Sequence, residues 1–189
     1  MAILIVKYTL YHGTTKVYAA IIMESGFELS FSDTHWMGKG VYFYDKAEQA
    51  NSFNVKTKKG IPTTVLKANI KVEKKKVLDL RKKTDNKKFA EFIEKQAPKY
   101  NNSIRLKDTD TDINMSIEKE FDKIIFSLKC ALFDYYCDEY NIDLAICEHN
   151  THPGSLTQVV MKSLSIDHNV EVQYCAKNLN IIKDINYND

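Results

Sequence analysis

The side chains with the strongest chemical potential in this chain of 189 residues gather near its N-terminus. Tyr11-His12-Gly13-Thr14 ends an apolar, β-branched run. Gly26-Phe27 follows a helical pattern, and Met37-Gly38-Lys39-Gly40-Val41-Tyr42-Phe43 leads into a second short strand. A glycine beside a histidine, or a Gly-x-Gly before a strand, is first of all a backbone requirement: it marks a turn or a place another group approaches closely. Other routes to polar chemistry are poorly supplied. His35, His149, His152 and His168 have no ligand spacing suited to zinc. Cys130, Cys137, Cys147 and Cys175 contain no Cys-x-x-Cys pair, which reads as reduced packing cysteines rather than a disulfide frame. No cysteine and histidine form a convincing nucleophile and base. The chemistry therefore rests on the three N-terminal motifs taken together.

The elements that must position them follow from periodicity. Residues 2–11 read as a strand ending at His12-Gly13. Thr15 caps a helix to about Glu24, with Val17, Ala20 and Ile21 as its apolar face and Gly26 as its stop. Residues 41–44 form a short strand, and Asp45 with Glu48 opens a helix. Residues 63–70 and 76–80 are strands. Thr84 to Gln96 is a helix with Phe89, Phe92 and Ile93 on one side, and Asn101 to Asn114 is a polar loop. Ser116 caps a long helix bearing Ile117, Phe121, Ile124, Ile125, Leu128, Ala131, Leu132 and Tyr135 at helical spacing. Cys130 and Cys137 lie on it as packing. Strands follow at 143–148, 157–164, 170–175 and 179–185. Strands at both ends and helices early and in the middle make an α+β chain.

Composition sets the outer bounds. Apolar residues are 44% and charged residues 28%, the balance of a folded globular protein. The length suits one domain, residues 1–189, with core 1–80 and 141–189 and a helical insertion at about 81–140. Such a chain buries roughly 70% of its unfolded surface and needs no metal or disulfide to fold. No apolar run reaches the ~18–20 residues of a membrane span, and the N-terminal run stops at Lys7, so a cytoplasmic protein is expected. The net charge of +2 hides an asymmetry. Lys67 to Lys107 holds 14 basic and 5 acidic residues, against 13 and 20 in the remainder. A basic segment on an acidic body meets a polyanion or forms a solvated face.

The order and spacing of the three motifs resemble the catalytic core of the ADP-ribosyltransferases of the diphtheria-toxin and poly(ADP-ribose) polymerase branch. In that branch a strand ends in HG[ST], a GKGxYF strand follows, a helix carries a second aromatic, and a third catalytic position opens a strand near the C-terminus. The resemblance covers residues 8–53 closely and 143–185 more loosely. It implies a split β-sheet core with the lysine-rich helical middle as an insertion, and NAD as co-substrate with no metal. Residue by residue, His12 resembles the histidine that bonds the ribose of the adenosine half. Gly13 resembles the glycine whose backbone holds the nicotinamide carboxamide, and Thr14 the hydroxyl residue beside the ribose. Tyr42 resembles the tyrosine lining the nicotinamide pocket, and Phe53 the aromatic that stacks on the ring. Ala50 falls where a small hydroxyl residue usually contacts the carboxamide.

This implied chemistry explains the residue types. Nicotinamide leaves NAD as a cationic leaving group, so little acid help is needed. Flat aromatics hold the ring and backbone groups orient its amide, which is catalysis by positioning. A carboxylate near the ribose stabilises the developing positive charge and orients the nucleophile. Here the sequence departs from the family. Gln158, in Ser155-Leu156-Thr157-Gln158-Val159-Val160-Met161, takes the place of the family glutamate. A glutamine can bond a ribose hydroxyl but cannot act as a base, which implies transfer of single ADP-ribose units. Glu148, ending the preceding strand, is the alternative carboxylate. Trp36, the single tryptophan, either stacks on a nucleobase or anchors its loop.

The implied function is an NAD-dependent mono-ADP-ribosyltransferase acting on a macromolecular acceptor. A small, lysine-rich enzyme without accessory modules resembles a bacterial or phage-defence toxin, and the resemblance also implies an antitoxin or inhibitory partner. The basic segment tilts the acceptor toward RNA or DNA over protein, although Phe89, Phe92 and Tyr100 do not make an evident base-stacking platform. The rival readings are an NAD glycohydrolase, with water as acceptor, and a non-catalytic NAD- or partner-binding module.

Overall fold

The structure is a computed structural model that describes residues 3–30, 35–96, 114–150 and 170–188. Among the described residues seven strands form one sheet: β1 (Ile5–Thr15), β2 (Val41–Tyr44), β3 (Thr63–Glu73), β4 (Val77–Asp79), β5 (Leu144–Asn150), β6 (Val170–Ala176) and β7 (Ile182–Tyr187). Their order is β4-β5-β6-β2-β1-β3-β7. All neighbours are antiparallel except β4 and β5. Four helices among the described residues accompany them: α1 (Lys16–Ser25), α2 (Ala47–Thr57), α3 (Lys83–Gln96) and α4 (Asn114–Glu139). The chain is thus mixed α and β with a mostly antiparallel sheet. Among the described residues no helix is long and apolar enough to cross a membrane.

The sheet is covered on both faces because its strands alternate two apolar sets. Leu10, Phe43, Leu66, Ala68, Ile70, Ile146 and Tyr174 form one core, against which Ala19 and Ile22 of α1 pack. Leu78, Ala145 and Cys175 face the other way, onto Phe92 of α3 and Phe133, Tyr136 and Cys137 of α4. The three fully buried cysteines, Cys130, Cys137 and Cys175, act as small apolar groups. Burial pushes the Cys137 thiol up to about 12 and the Cys175 thiol up to about 11.

Several local expectations shift. β1 does not turn at His12-Gly13; it runs on to Thr15, because β3 pairs with it from Ile5↔Glu73 to Thr15↔Thr63. Thr15 does cap α1, accepting from Tyr18 N at 3.2 Å, a contact worth about 1 kcal/mol. The buried face of α1 is Ala19, whereas Val17 and Ile21 are 71% and 49% exposed. α2 begins after Lys46, with no side-chain cap, so Asp45 does not serve. Ser116 lies inside α4 rather than before it. Phe133 and Tyr136 form the buried stripe of α4, while Ala131 and Tyr135 are exposed. The last strand opens with a 3-10 turn, Leu179–Ile181, before β7. The expected polar loop 101–113 and the strand 157–164 lie outside the described residues.

Candidate functional site

The site forms where β1 and β2 part. Their ladder is the single pair Tyr11↔Tyr44, although β1 continues to Thr15 beside β3. Alternation decides which way each β1 residue turns its backbone. Lys16 N donates to Pro62 O, so even-numbered β1 residues near this end face β3. Val65 O accepts from Asn188 N, so Val65 turns away from its partner Gly13. The N–H and C=O of Gly13 therefore point out of the β1–β3 ladder, into the gap left by β2. Glycine is required there for a second reason: a side chain would run into the backbone carbonyl of Ala50 on α2.

His12 holds the gap open. Its Nδ1 bonds Tyr42 O at 2.8 Å in place of a backbone ladder bond. A carbonyl only accepts, so Nδ1 carries the proton and Nε2 keeps its lone pair. Burial pushes the imidazole down to about 4, which leaves it neutral at pH 7. Phe27 and Phe43 meet the ring edge-on at 5.1 and 5.8 Å. The three N-terminal motifs thus converge on one imidazole: Phe27 from the Gly-Phe pair, Tyr42 and Phe43 from the GKG strand.

Tyr42 is fixed by its own loop. Its hydroxyl donates to Gly38 O and accepts from Met37 N, each at 2.9 Å. Burial, followed by the nearby Cys175, raises its pKa well above the phenol range. The His35 ring lies 4.5 Å from the Tyr42 ring. The loop is clamped from outside by an ion pair with little exposure on the lysine side, Lys177 to Asp134 at 2.6 Å. Lys177 Nζ also donates to Lys39 O, and both Asp134 oxygens accept from Lys39 N. Gly38 sits at φ 72°, and a Cβ there would meet the Asp134 carboxylate. The central helix α4 is therefore part of the site's support.

Together these groups enclose a cavity of about 590 Å³. His12, Gly13, Tyr42 and Phe53 all line it, as do His35 and Trp36. Trp36 Nε1 donates to Gln173 Oε1 at 2.7 Å, and Gln173 Nε2 donates to the Tyr44 hydroxyl at 3.3 Å, tying the loop to β6 and β2. Among the described residues Glu171 is the carboxylate in the lining. Burial first, and then Glu171, pushes the Tyr44 phenol up to about 12. Lys56 and Lys58 bring positive charge to the other wall.

Four of the sequence-derived site residues thus share one cavity. Thr14 does not join them: it is 5% exposed and absent from the lining. Gln158 lies outside the described residues. Glu148 pairs with Val172, whose neighbours belong to the Phe43 core, so alternation sets it on the face opposite Tyr42 and Gln173. Glu148 is also absent from the cavity lining, whereas Glu171 is part of it. Sequence reading passed over Glu171 and Gln173. Their signal was the alternation in Val170-Glu171-Val172-Gln173-Tyr174-Cys175, which puts two polar side chains on one face of a strand. Among the described residues no three His, Cys, Asp or Glu side chains group as metal ligands.

No family model matches the chain, and no solved structure matches it. A curated relative is an uncharacterized protein of Methanocaldococcus jannaschii, 36% identical over 83 residues. The match takes in 41% of this chain and 39% of that protein, so the chain spans about two fifths of that relative's length.

Proposed function

We propose that the chain is an NAD-dependent mono-ADP-ribosyltransferase that moves ADP-ribose to a macromolecular acceptor and releases nicotinamide. The observation that carries this reading is the convergence of His12, Gly13, Tyr42 and Phe53 on one cavity at the point where Gly13 turns its backbone out of the sheet. On this reading the parting of β1 and β2 is the split of an ADP-ribosyltransferase sheet, and residues 81–140 are an insertion that supplies Asp134.

Each residue then has a physical task. Neutral His12 accepts a ribose hydroxyl at Nε2. The N–H and C=O of Gly13 hold the carboxamide, and Tyr42 and Phe53 offer ring faces to the nicotinamide. The C–N bond to ribose breaks with its electron pair leaving on nicotinamide, and the sugar becomes oxocarbenium-like. Glu171 supplies the negative charge that stabilises it and accepts the proton of the attacking group. Gln173, held by Trp36, presents an amide beside it. Gln158, outside the described residues, keeps the place the resemblance gives it, and its neutral amide is what implies transfer of single ADP-ribose units. The exposed lysines of α3 favour a nucleic acid acceptor.

The test is incubation of the full chain with NAD labelled in the ADP-ribose half and whole-cell lysate. Label that resists protease and yields to nuclease identifies a nucleic acid acceptor; the reverse identifies a protein. Nicotinamide release with no labelled macromolecule identifies water as the acceptor. Neither release nor labelling defeats the reading.

A further inference from the structure

Lys58 sits on the two groups that the nicotinamide reading needs. Its Nζ donates to Gly13 O at 3.3 Å and to Asn54 Oδ1 at 3.3 Å, and lies 5.0 Å from the centre of the Phe53 ring. Asn54 is fully buried, and its Nδ2 donates to Thr64 O at 2.9 Å, which turns its Oδ1 toward the lysine. The ammonium is thus held by two neutral oxygens and a ring face. Among the described residues no carboxylate lies within ion-pair distance of it.

We propose that Lys58 is a built-in occupant of the nicotinamide end of the cavity and sets how tightly that end takes an aromatic amide. The inference rests on the proposed function and deepens it. The carboxamide N–H of nicotinamide and the ammonium of Lys58 are both donors that need Gly13 O. The pyridine ring and the ammonium both need the face of Phe53. Gly13 O keeps a second lone pair, but Lys58 lines the same cavity and meets both groups there, so the two compete for the cavity side of the carbonyl and of the ring, and full binding requires Lys58 to leave. Its two hydrogen bonds lie beyond the usual N–H···O range, long enough to exchange. A site whose competent state is only partly populated binds more weakly by that fraction. Lys58 therefore lowers affinity for the leaving group, which favours release of nicotinamide after the bond has broken.

The experiment is calorimetric titration of the two halves of NAD, nicotinamide and ADP-ribose, into the full chain and into Lys58→Met and Lys58→Arg. Losing two weak hydrogen bonds and one cation–π contact from the empty state is worth on the order of tenfold. Nicotinamide should bind Lys58→Met about tenfold tighter than the wild type, and Lys58→Arg should restore the weak binding. ADP-ribose, which has no carboxamide, should not tighten with either variant. Nicotinamide binding Lys58→Met equally or more weakly, while ADP-ribose still binds, overturns the role of Lys58 and leaves the NAD reading standing. Failure of both halves to bind any form overturns both. Lys58→Gln keeps the test open should Lys58→Met not fold, since it removes the charge and retains polarity.

Discussion

Two concavities among the described residues are of similar size and unlike chemistry. One, of about 590 Å³, lies at the parting of β1 and β2. The other, of about 670 Å³, is a groove between α3, α4 and β4. The larger one is chemically balanced. Lys75, Lys88 and Lys95 line it together with Asp85, Glu91 and Glu139, and its rings pack on one another: Phe92 meets Tyr135, Tyr136 and Tyr140 at 5.3, 5.1 and 6.2 Å. The smaller one gathers groups left over by the fold. It holds a neutral imidazole with one nitrogen bonded, a glycine turned out of its ladder, one carboxylate and an ammonium resting on neutral oxygens. Volume alone would choose the groove; convergent polar groups in an apolar surround choose the cleft.

The sharpest way to break this contrast is to remove the charge of the cleft's carboxylate. Glu171→Gln keeps shape and loses charge, and should cut the rate of nicotinamide release by 10²-fold or more. NAD binding should change little, because the interaction strengthens as the sugar becomes cationic. The same change at Glu148, on the far face of the sheet, should leave the rate near wild type. Equal losses at both positions would show that the cleft has no privileged carboxylate.

Next in size is an effect on the fold. Gly13→Ala puts a methyl against the Ala50 carbonyl, a backbone atom that moves only if α2 moves. The expected cost is about 3 kcal/mol, a fall of roughly 6–12 °C in melting temperature for a chain of this size. Gly60→Ala is the instructive control: no atom stands near its missing side chain, but φ is 75°. Its cost is that of backbone strain alone, about 1 kcal/mol. A Gly13 variant no worse than the Gly60 variant would mean that α2 does not press on the cleft.

Local signals were readable and distant ones were not. The Thr15 cap, the Val41–Tyr44 strand and the apolar side of α3 each depend on a few neighbouring residues, and sequence reading recovered them. The facing of α1 failed because Val17 and Ile21 are as apolar as Ala19; only the distance between α1 and the sheet selects the small residue. Glu148 and Glu171 look alike in sequence, both being acidic residues on β strands. Their separation onto opposite faces is fixed by register with β2, where Tyr44 pairs with Gln173. A shift of one residue would exchange the two faces. The clamp on the GKG loop was equally hidden, since Asp134 and Lys177 are 43 positions apart.

Acid stability gives a smaller and more specific reading. The unfolded chain binds a proton on His12 near pH 6.5, whereas the folded imidazole refuses it until about pH 4. Stability from this group is therefore complete above pH 6.5 and falls as pH drops through that window, by at most about 3 kcal/mol. His12→Gln should flatten that part of the curve in denaturant titrations at successive pH values. His35, also shifted down by burial, supplies a residual slope. Asp79 is pulled below the usual carboxylate range by Arg81 despite its burial, so it acts only at lower pH. An unchanged slope in His12→Gln would mean that the imidazole titrates alike in the folded and unfolded chain and is not enclosed in the way proposed.

The smallest effect belongs to the groove. Lys82 lies 3.5 Å from Asp79 and Lys87 lies 3.8 Å from Glu91, so reversing them also disturbs their partners. Lys88 and Lys95 line the groove and make no ion pair among the described residues, which makes them cleaner probes. With three carboxylates and three lysines in its lining, the groove attracts a polyanion only through the wider lysine content of α3 and its flanks. The double variant Lys88→Glu, Lys95→Glu should therefore reduce acceptor labelling only a few-fold at physiological salt. It should also lower the slope of log affinity against log salt by about two, one for each lysine that no longer meets a phosphate. Nicotinamide release without acceptor should be unaffected, because neither lysine touches the cleft. Labelling that is indifferent to the double variant and to salt would make α3 a solvated face. The acceptor would then be recognised by shape, as a folded protein is, and the groove would contribute to the fold alone.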